Sequence, residues 1–281
     1  MVPVEKDKPE DGAIAVAVAQ FAPGTDKVEN LVVIRELATT AASRAAKLVV
    51  FPEYSSFFTA GLGEQSVAAA EPLDGSFVAG LSAIARELGV HLAAGMLETT
   101  DDAARFSNTI VAVDPQGALV AKYRKIHLYD AFGQRESDWV VSGTIEEPET
   151  FELGDSGVGL TVGIQTCYDI RFPEATRRLV DAGADLILVP SEWVRGPLKE
   201  QHWRTLVTAR ALENTVYVAA ADQAPPIGAG NSMIVDPMGV ELAAIGEIQD
   251  VALAWLSASR LAEARTVNPA LELRRFRVTP R

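Results

Sequence analysis

A single cysteine, Cys167, occurs in 281 residues. It follows the run Leu160-Thr-Val-Gly-Ile and precedes Asp169 and Pro173, so a strand gives way to a helix around it. A thiol at the rim of a sheet is a common placing for a nucleophile. On position alone, an inert buried residue is the commoner fate of such a cysteine. Three further polar positions supply what a nucleophilic thiol needs. Glu53, in Phe51-Pro-Glu53-Tyr, follows a short apolar run. Lys125, in Tyr123-Arg-Lys125-Ile-His127, ends another, and Glu136, in Gln134-Arg-Glu136-Ser, lies in a polar loop soon after.

These residue types suit amide hydrolysis. Glu53 can take the thiol proton if desolvation raises its pKa. Attack on a carbonyl creates an oxyanion, which the Lys125 ammonium and the backbone N–H of Tyr168 can hold. The protonated glutamate then returns its proton to departing ammonia, and water cleaves the thioester. The three histidines, His91, His127 and His202, lie far apart without H-x-x-x-H or H-x-H spacing, so no zinc site is expected. Nothing favours His127 or His202 over Glu53 as the base.

The elements that must position these residues alternate. Residues 13–21 read as a first strand, and Thr25 or Asp26 as the cap of a helix with Leu31, Ile34, Leu37, Ala38, Ala41 and Ala45 on its apolar face. Lys47–Phe51 is a strand that stops at Pro52, which has no N–H for a ladder. Phe77, Leu81, Ile84 and Leu88 mark a helix closed by Gly89, and the strand 91–96 follows. Helices are expected over 173–182 and 200–214, and strands over 185–190, 215–221 and 251–256. Asn108-Thr-Ile-Val-Ala-Val-Asp-Pro-Gln-Gly117 and Asn231-Ser-Met-Ile-Val-Asp-Pro-Met-Gly239 share an Asp-Pro-x-Gly turn between strands. Val-Val-Phe-Pro52 and Leu-Ile-Leu-Val-Pro190 also echo each other, which suggests two similar halves. With no Gly-, Ser- or Pro-rich linker, the pattern is one α/β domain with helices outside two packed sheets.

Composition narrows the function classes. The 48% hydrophobic content is ample for a core, and the formal charge is −13. Nucleic-acid binding needs clustered cations, and none occur. No apolar stretch approaches the roughly 18 residues of a membrane helix. Glu5, Asp7, Glu10 and Asp11 outweigh Lys6 and Lys8 ahead of the apolar run from Ala13, against a positive secretory n-region. Residues 1–12 read as a loose polar tail and the compartment as the cytoplasm, which also suits a free thiol.

The four segments, in this order, resemble the nitrilase superfamily of carbon–nitrogen hydrolases. The matching pieces are Phe51-Pro-Glu53, Tyr123-Arg-Lys125-Ile-His127-Leu, Arg135-Glu136-Ser and Cys167-Tyr-Asp-Ile-Arg-Phe-Pro-Glu174. His202–Asn214 and the Asp236-Pro-x-Gly turn fit as well, so the resemblance runs from about residue 13 to the end. It implies a catalytic Glu53–Lys125–Cys167 triad, with Glu136 orienting the lysine and the substrate. It also implies a four-layer αββα sandwich over 13–265 that dimerises into eight layers, with no metal or organic cofactor.

The Cys167–Glu174 run looks closest to the ω-amidases and the deaminated glutathione amidases. The expected reaction is hydrolysis of a small non-peptide amide to acid and ammonia. The alternatives are a nitrilase, an N-carbamoyl amino-acid hydrolase, or a non-catalytic assembly member of the fold. Those relatives often carry Ala-Phe after Pro-Ser, where this chain has Glu192-Trp193. Tyr168, Glu192 and Trp193 are therefore the candidate substrate contacts, Trp193 reading equally as core. A Glu192 side chain facing the pocket should repel anionic substrates. Asp169 and Arg171 read as an ion pair or helix cap. Loops 54–71 and 195–200 should shape the pocket. Residues 266–281, with Arg274, Arg275, Arg277 and Arg281, read as an arm reaching a partner subunit.

Overall fold

The computed structural model describes residues 12–154 and 159–280. Of the tail expected at 1–12, residues 1–11 lie outside them, as does Arg281 of the expected arm. The described chain runs β1 (Ile14–Gln20), α1 (Lys27–Ser43), β2 (Leu48–Val50), α2 (Glu64–Ala69), α3 (Ser76–Leu88), β3 (His91–Thr99), β4 (Phe106–Val113) and β5 (Leu119–Arg124). It continues through β6 (Thr150–Leu153), β7 (Leu160–Ile164), α4 (Pro173–Asp181), β8 (Leu186–Ser191), α5 (Lys199–Asn214), β9 (Tyr217–Asp222), β10 (Met233–Val235), β11 (Glu241–Ala244), β12 (Asp250–Leu256) and α6 (Ala258–Val267). Short 3-10 turns lie at Glu136–Asp138 and Cys167–Arg171.

Alternation along β1 sets the layering. Val16 and Val18 face one core, while Ala17 and Ala19 face another, so both faces are buried and the strand is apolar throughout. Two six-stranded sheets result, ordered β12-β1-β2-β3-β4-β5 and β11-β10-β9-β8-β7-β6. Between them Val16, Val18, Leu48 and Val50 pack with Val162, Ile164, Leu186 and Leu188. Outside the first sheet, Ile34 and Leu37 of α1 and Phe77 and Leu81 of α3 cover Val49 and Leu92. Outside the second, Leu179 of α4 and Trp203 and Val207 of α5 cover Ile187 and Val218. The four layers are α, β, β, α.

From β12 across the first sheet and from β6 across the second, successive pairs run antiparallel, parallel, parallel, antiparallel, antiparallel. The two halves thus share one pairing pattern, and the repeated Asp-Pro-x-Gly turns occupy matching places, β4–β5 and β10–β11. In both turns the aspartate carboxylate accepts from two backbone N–H groups, and Gly117 and Gly239 take φ of 77° and 78°. A residue with a Cβ is strained there.

Asp26 caps α1, accepting from the N–H of Val28 and Glu29. Ala45, expected on the helix's apolar face, instead lies beyond its end at φ 70° and is exposed; Ala46 turns inward in its place. The helix α6 lacks an apolar period in the sequence, yet Ser257 caps it and Leu261 reaches the core between the sheets. It carries regular structure to Val267, into the stretch read as an arm. Beyond it Arg274 Nη1 contacts Asp181 Oδ1 at 2.5 Å. No described helix is long and apolar enough to cross a membrane.

Candidate active site

The site forms where strands of both sheets end. After β2, Pro52 ends the ladder and Tyr54 takes φ 58°. That turn lies against Gly95, where a Cβ would meet the Tyr54 nitrogen at 2.5 Å, so only glycine lets β3 pass beneath Glu53. Lys125 follows β5, its N–H bonded to the Asn108 carbonyl at 2.9 Å. Cys167 follows β7 at φ 46° and opens a 3-10 turn. Thr166 and Asp169 cap that turn reciprocally, and the Thr166 hydroxyl donates to the Pro190 carbonyl at 2.7 Å. The ends of parallel strands collect at one edge, as open α/β sheets require of a reaction crevice.

Lys125 Nζ stands 2.9 Å from Glu53 Oε1 and 2.9 Å from Glu136 Oε2. Asn108 Nδ2 donates to both carboxylates, at 2.6 Å to Glu53 and 3.1 Å to Glu136. The Tyr54 hydroxyl and the Tyr129 N–H donate to Glu136 at 2.7 and 2.6 Å. Across the sheets, the Glu192 N–H donates to Glu53 Oε2 at 2.7 Å, and Gln223 Nε2 donates to the Glu53 carbonyl at 2.9 Å. The Cys167 thiol lies 3.4 Å from the Glu192 carbonyl. One cavity of about 410 Å³ touches Glu53, Lys125, Glu136, Cys167 and Glu192. Phe58 and Leu62, from the loop after Tyr54, wall it together with Val194 and Ile227.

The two carboxyls on Lys125 are pushed apart. Burial, reinforced by Glu136, raises Glu53 above the usual glutamate range against the pull of Lys125. Burial also works against the Glu136 charge, but the Lys125 ammonium, the Tyr129 N–H and the Tyr54 hydroxyl together hold it low. Lys125 is likewise penalised by burial, yet Glu136 and Glu53 keep its ammonium well above the usual range. Burial, then the Glu53 charge, pushes the Cys167 thiol up, so it needs a base before it can attack. Such a split lets Glu53 exchange a proton while Glu136 stays charged.

Two other candidates, Tyr168 and Trp193, are not among the residues that line the cavity. Trp193 is 3% exposed and packs on Trp203, with its Nε1–H donating to the Lys199 carbonyl at 2.7 Å; it does not line the cavity. Tyr168 stands edge-on to Tyr129 and Phe172. Asp169 does not pair with Arg171. It caps the cysteine turn and accepts from the Tyr123 hydroxyl at 2.8 Å and the His127 N–H at 3.0 Å, tying Cys167 to the Lys125 segment. Arg171 instead lies over the Trp193 and Phe132 rings, at 4.8 and 5.6 Å. His127 stacks on Phe172 and meets Asp169 through Nδ1 at 2.7 Å. Among the described residues no group of three or more His, Cys, Asp or Glu is arranged to hold a metal. Sequence reasoning did not assign Tyr54, Asn108 or Tyr129, although Asn108 opens one of the repeated turn segments.

Comparison with known proteins shows the family. Residues 15–266 match the family model described as carbon-nitrogen hydrolase. A protein of Mycobacterium tuberculosis named a hydrolase is 39% identical over 266 residues, covering 89% of this chain and 91% of its own length. A deaminated glutathione amidase of Escherichia coli O157:H7 is 36% identical over 263 residues, with 93% and 97% covered. The solved structure of a cysteine-to-alanine variant of a Nesterenkonia amidase, from the nitrilase superfamily, superposes with a TM-score of 0.79 at 25% identity, covering 95% of this chain and 99% of that one.

Proposed function

The chain belongs to the carbon–nitrogen hydrolase family and is an enzyme of the amidase type, and from that premise we propose that it cleaves a small non-peptide amide through a thioester on Cys167. The observation that carries this reading is the buried Glu53–Lys125–Glu136 cluster opening onto the same cavity as the only cysteine. Glu53 accepts the thiol proton as sulfur bonds to the amide carbon. The carbonyl electron pair moves to oxygen, held by Lys125 Nζ and the Tyr168 N–H, which lies at the start of its turn where helical geometry supplies no acceptor. Glu53 passes the proton to nitrogen, the C–N bond breaks and ammonia leaves. Glu53 then deprotonates a water that attacks the thioester, and the carboxylic acid departs with the thiol restored.

The test is ammonia release from butyramide, glutaramate, deaminated glutathione, a matching nitrile and an N-carbamoyl amino acid. Turnover of an amide supports the reading; turnover of the nitrile or carbamoyl compound alone replaces it. Glu53→Gln will lower kcat by about 10²–10⁴-fold. Because burial raises Glu53, wild-type kcat/KM will fall on acidification already above the pH where an ordinary glutamate titrates. Full activity in Glu53→Gln would overturn the assignment.

We place the enzyme in the cytoplasm, a compartment that suits its free thiol, and assign it to a homodimer in which the C-terminal segment meets the partner. Val267, Leu273 and Phe276 are 72%, 70% and 91% exposed, an apolar series that a second copy would cover. Ending the chain after residue 267 will shift its mass in analytical ultracentrifugation from dimer to monomer. A dimer that persists would remove the segment from the interface.

A further inference from the structure

Among the described residues, Glu192 is the cavity carboxyl with a buried oxygen that has no hydrogen-bond partner. Of the charged groups lining the cavity, Lys125 is shared by Glu53 and Glu136, and Arg135 lies 3.6 Å from Asp138. That leaves Glu192. Its backbone is fixed on both sides: the N–H donates to Glu53, the carbonyl faces the Cys167 thiol, and the next N–H, of Trp193, donates to Asp222 Oδ1 at 2.7 Å. The side chain is thereby held on the wall beside the nucleophile. Its Oε1 is buried and has no hydrogen-bond partner among the described residues. An unpaired buried carboxyl oxygen is a standing cost that a ligand donor can remove.

Resting on the amidase reading above, we propose that Glu192 is a specificity-determining residue: its carboxyl favours acyl chains bearing an ammonium or neutral hydrogen-bond donor and turns away those ending in a carboxylate. The surrounding charge supports this. Glu53 and Glu136 face it from the first sheet, Asp222 stands behind it, and the Cys167 thiol and Tyr129 phenol complete the wall. The opposing cation Lys125 is engaged by two carboxylates. Lys199 is turned onto aromatic rings, its Nζ 4.7 Å from the Trp193 ring centre and 3.2 Å from the Tyr129 hydroxyl, while Arg171 lies over Trp193. Burial, then the Glu53 charge, raises the Glu192 carboxyl to about 8. Below that pH it is a neutral hydrogen-bonding group; above it, an anion. Discrimination against anionic chains therefore grows as pH rises through about 8.

Because the chain has one cysteine, thiol labelling reads this cavity alone. Wild type and Glu192→Gln are treated with cationic trimethylammonioethyl, neutral methyl and anionic sulfonatoethyl methanethiosulfonates from pH 6.5 to 9.5. In each reaction sulfur forms a disulfide and methanesulfinate leaves, a product followed by mass spectrometry. Rates are taken relative to the methyl reagent in each protein, so ionisation of the thiol cancels. The cationic-to-anionic ratio will rise about tenfold through pH 8 in wild type and stay flat in Glu192→Gln. Superimposable ratios in the two proteins would overturn the proposal. In steady-state assays at pH 9, where the Glu192 carboxyl is ionised, the preference for 4-aminobutyramide over succinamate will drop about tenfold in Glu192→Gln. Absence of ammonia from every amide would refute the amidase reading, while the labelling ratios would still decide the role of Glu192.

Discussion

Cys167→Ala will lower kcat for amide hydrolysis by about 10⁴-fold, and mass spectrometry of the quenched reaction will show an acylated chain in wild type only. In the mechanism we propose the loss is large, because Glu53 and Lys125 serve a bond that only the sulfur forms. A water placed in the vacated space would meet the same base and the same ammonium, but it would have to attack the amide directly. The thiol divides that step in two. Retention of more than about a tenth of wild-type kcat would mean that Cys167 is a wall residue and the nucleophile lies elsewhere.

Lys125→Met will be inactive and less stable. The ammonium lies between Glu53 and Glu136 at 2.9 Å from each, with all three side chains nearly removed from solvent. Removing one partner of a buried ionic cluster typically costs about 3–5 kcal/mol, because the remaining charges lose their compensation. In a chain of this size that corresponds to a fall in Tm on the order of 10 °C. The deficit will shrink on acidification, since protonating either carboxyl removes an unpaired charge. Scanning calorimetry across pH checks both statements; an unchanged Tm would show that the two carboxyls are already neutral in the wild type.

Sequence reading reached the residues whose position depends on where a strand stops. Pro52 ends β2 by removing a donor, so Glu53 is forced into a turn, and the β-branched run before Cys167 likewise has to end near Thr166. What it did not reach depends on register. Asn108 joins Glu53 to Glu136 only because the β3–β4 pairing sets it opposite Leu97 and the chain after β5 returns to its carbonyl. Tyr129 contributes through its backbone N–H, which no residue type announces. The Glu192–Trp193 pair shows the same limit. Past the end of β8 at Ser191 the Glu192 N–H bonds to Glu53 and the Trp193 N–H to Asp222, and the carboxyl lines the cavity while the indole packs in the core. Ala45 and α6 differ for local reasons: a left-handed residue ended one helix early, and a serine cap started another without an apolar stripe.

The pairing of β1 with β12 has a consequence for how the enzyme comes into being on the ribosome. Glu53, Lys125, Glu136 and Cys167 have all been polymerised once residue 167 is added, yet the outer edge of the first strand has no partner until residues 250–256 emerge and form seven residue pairs with it. An unfilled sheet edge templates association with other chains. The nascent protein therefore carries these four residues while the next 83, from 167 to 250, are added, without the frame that brings the set together. Premature termination between residues 167 and 250 releases a thiol-bearing, aggregation-exposed fragment rather than a partly active hydrolase.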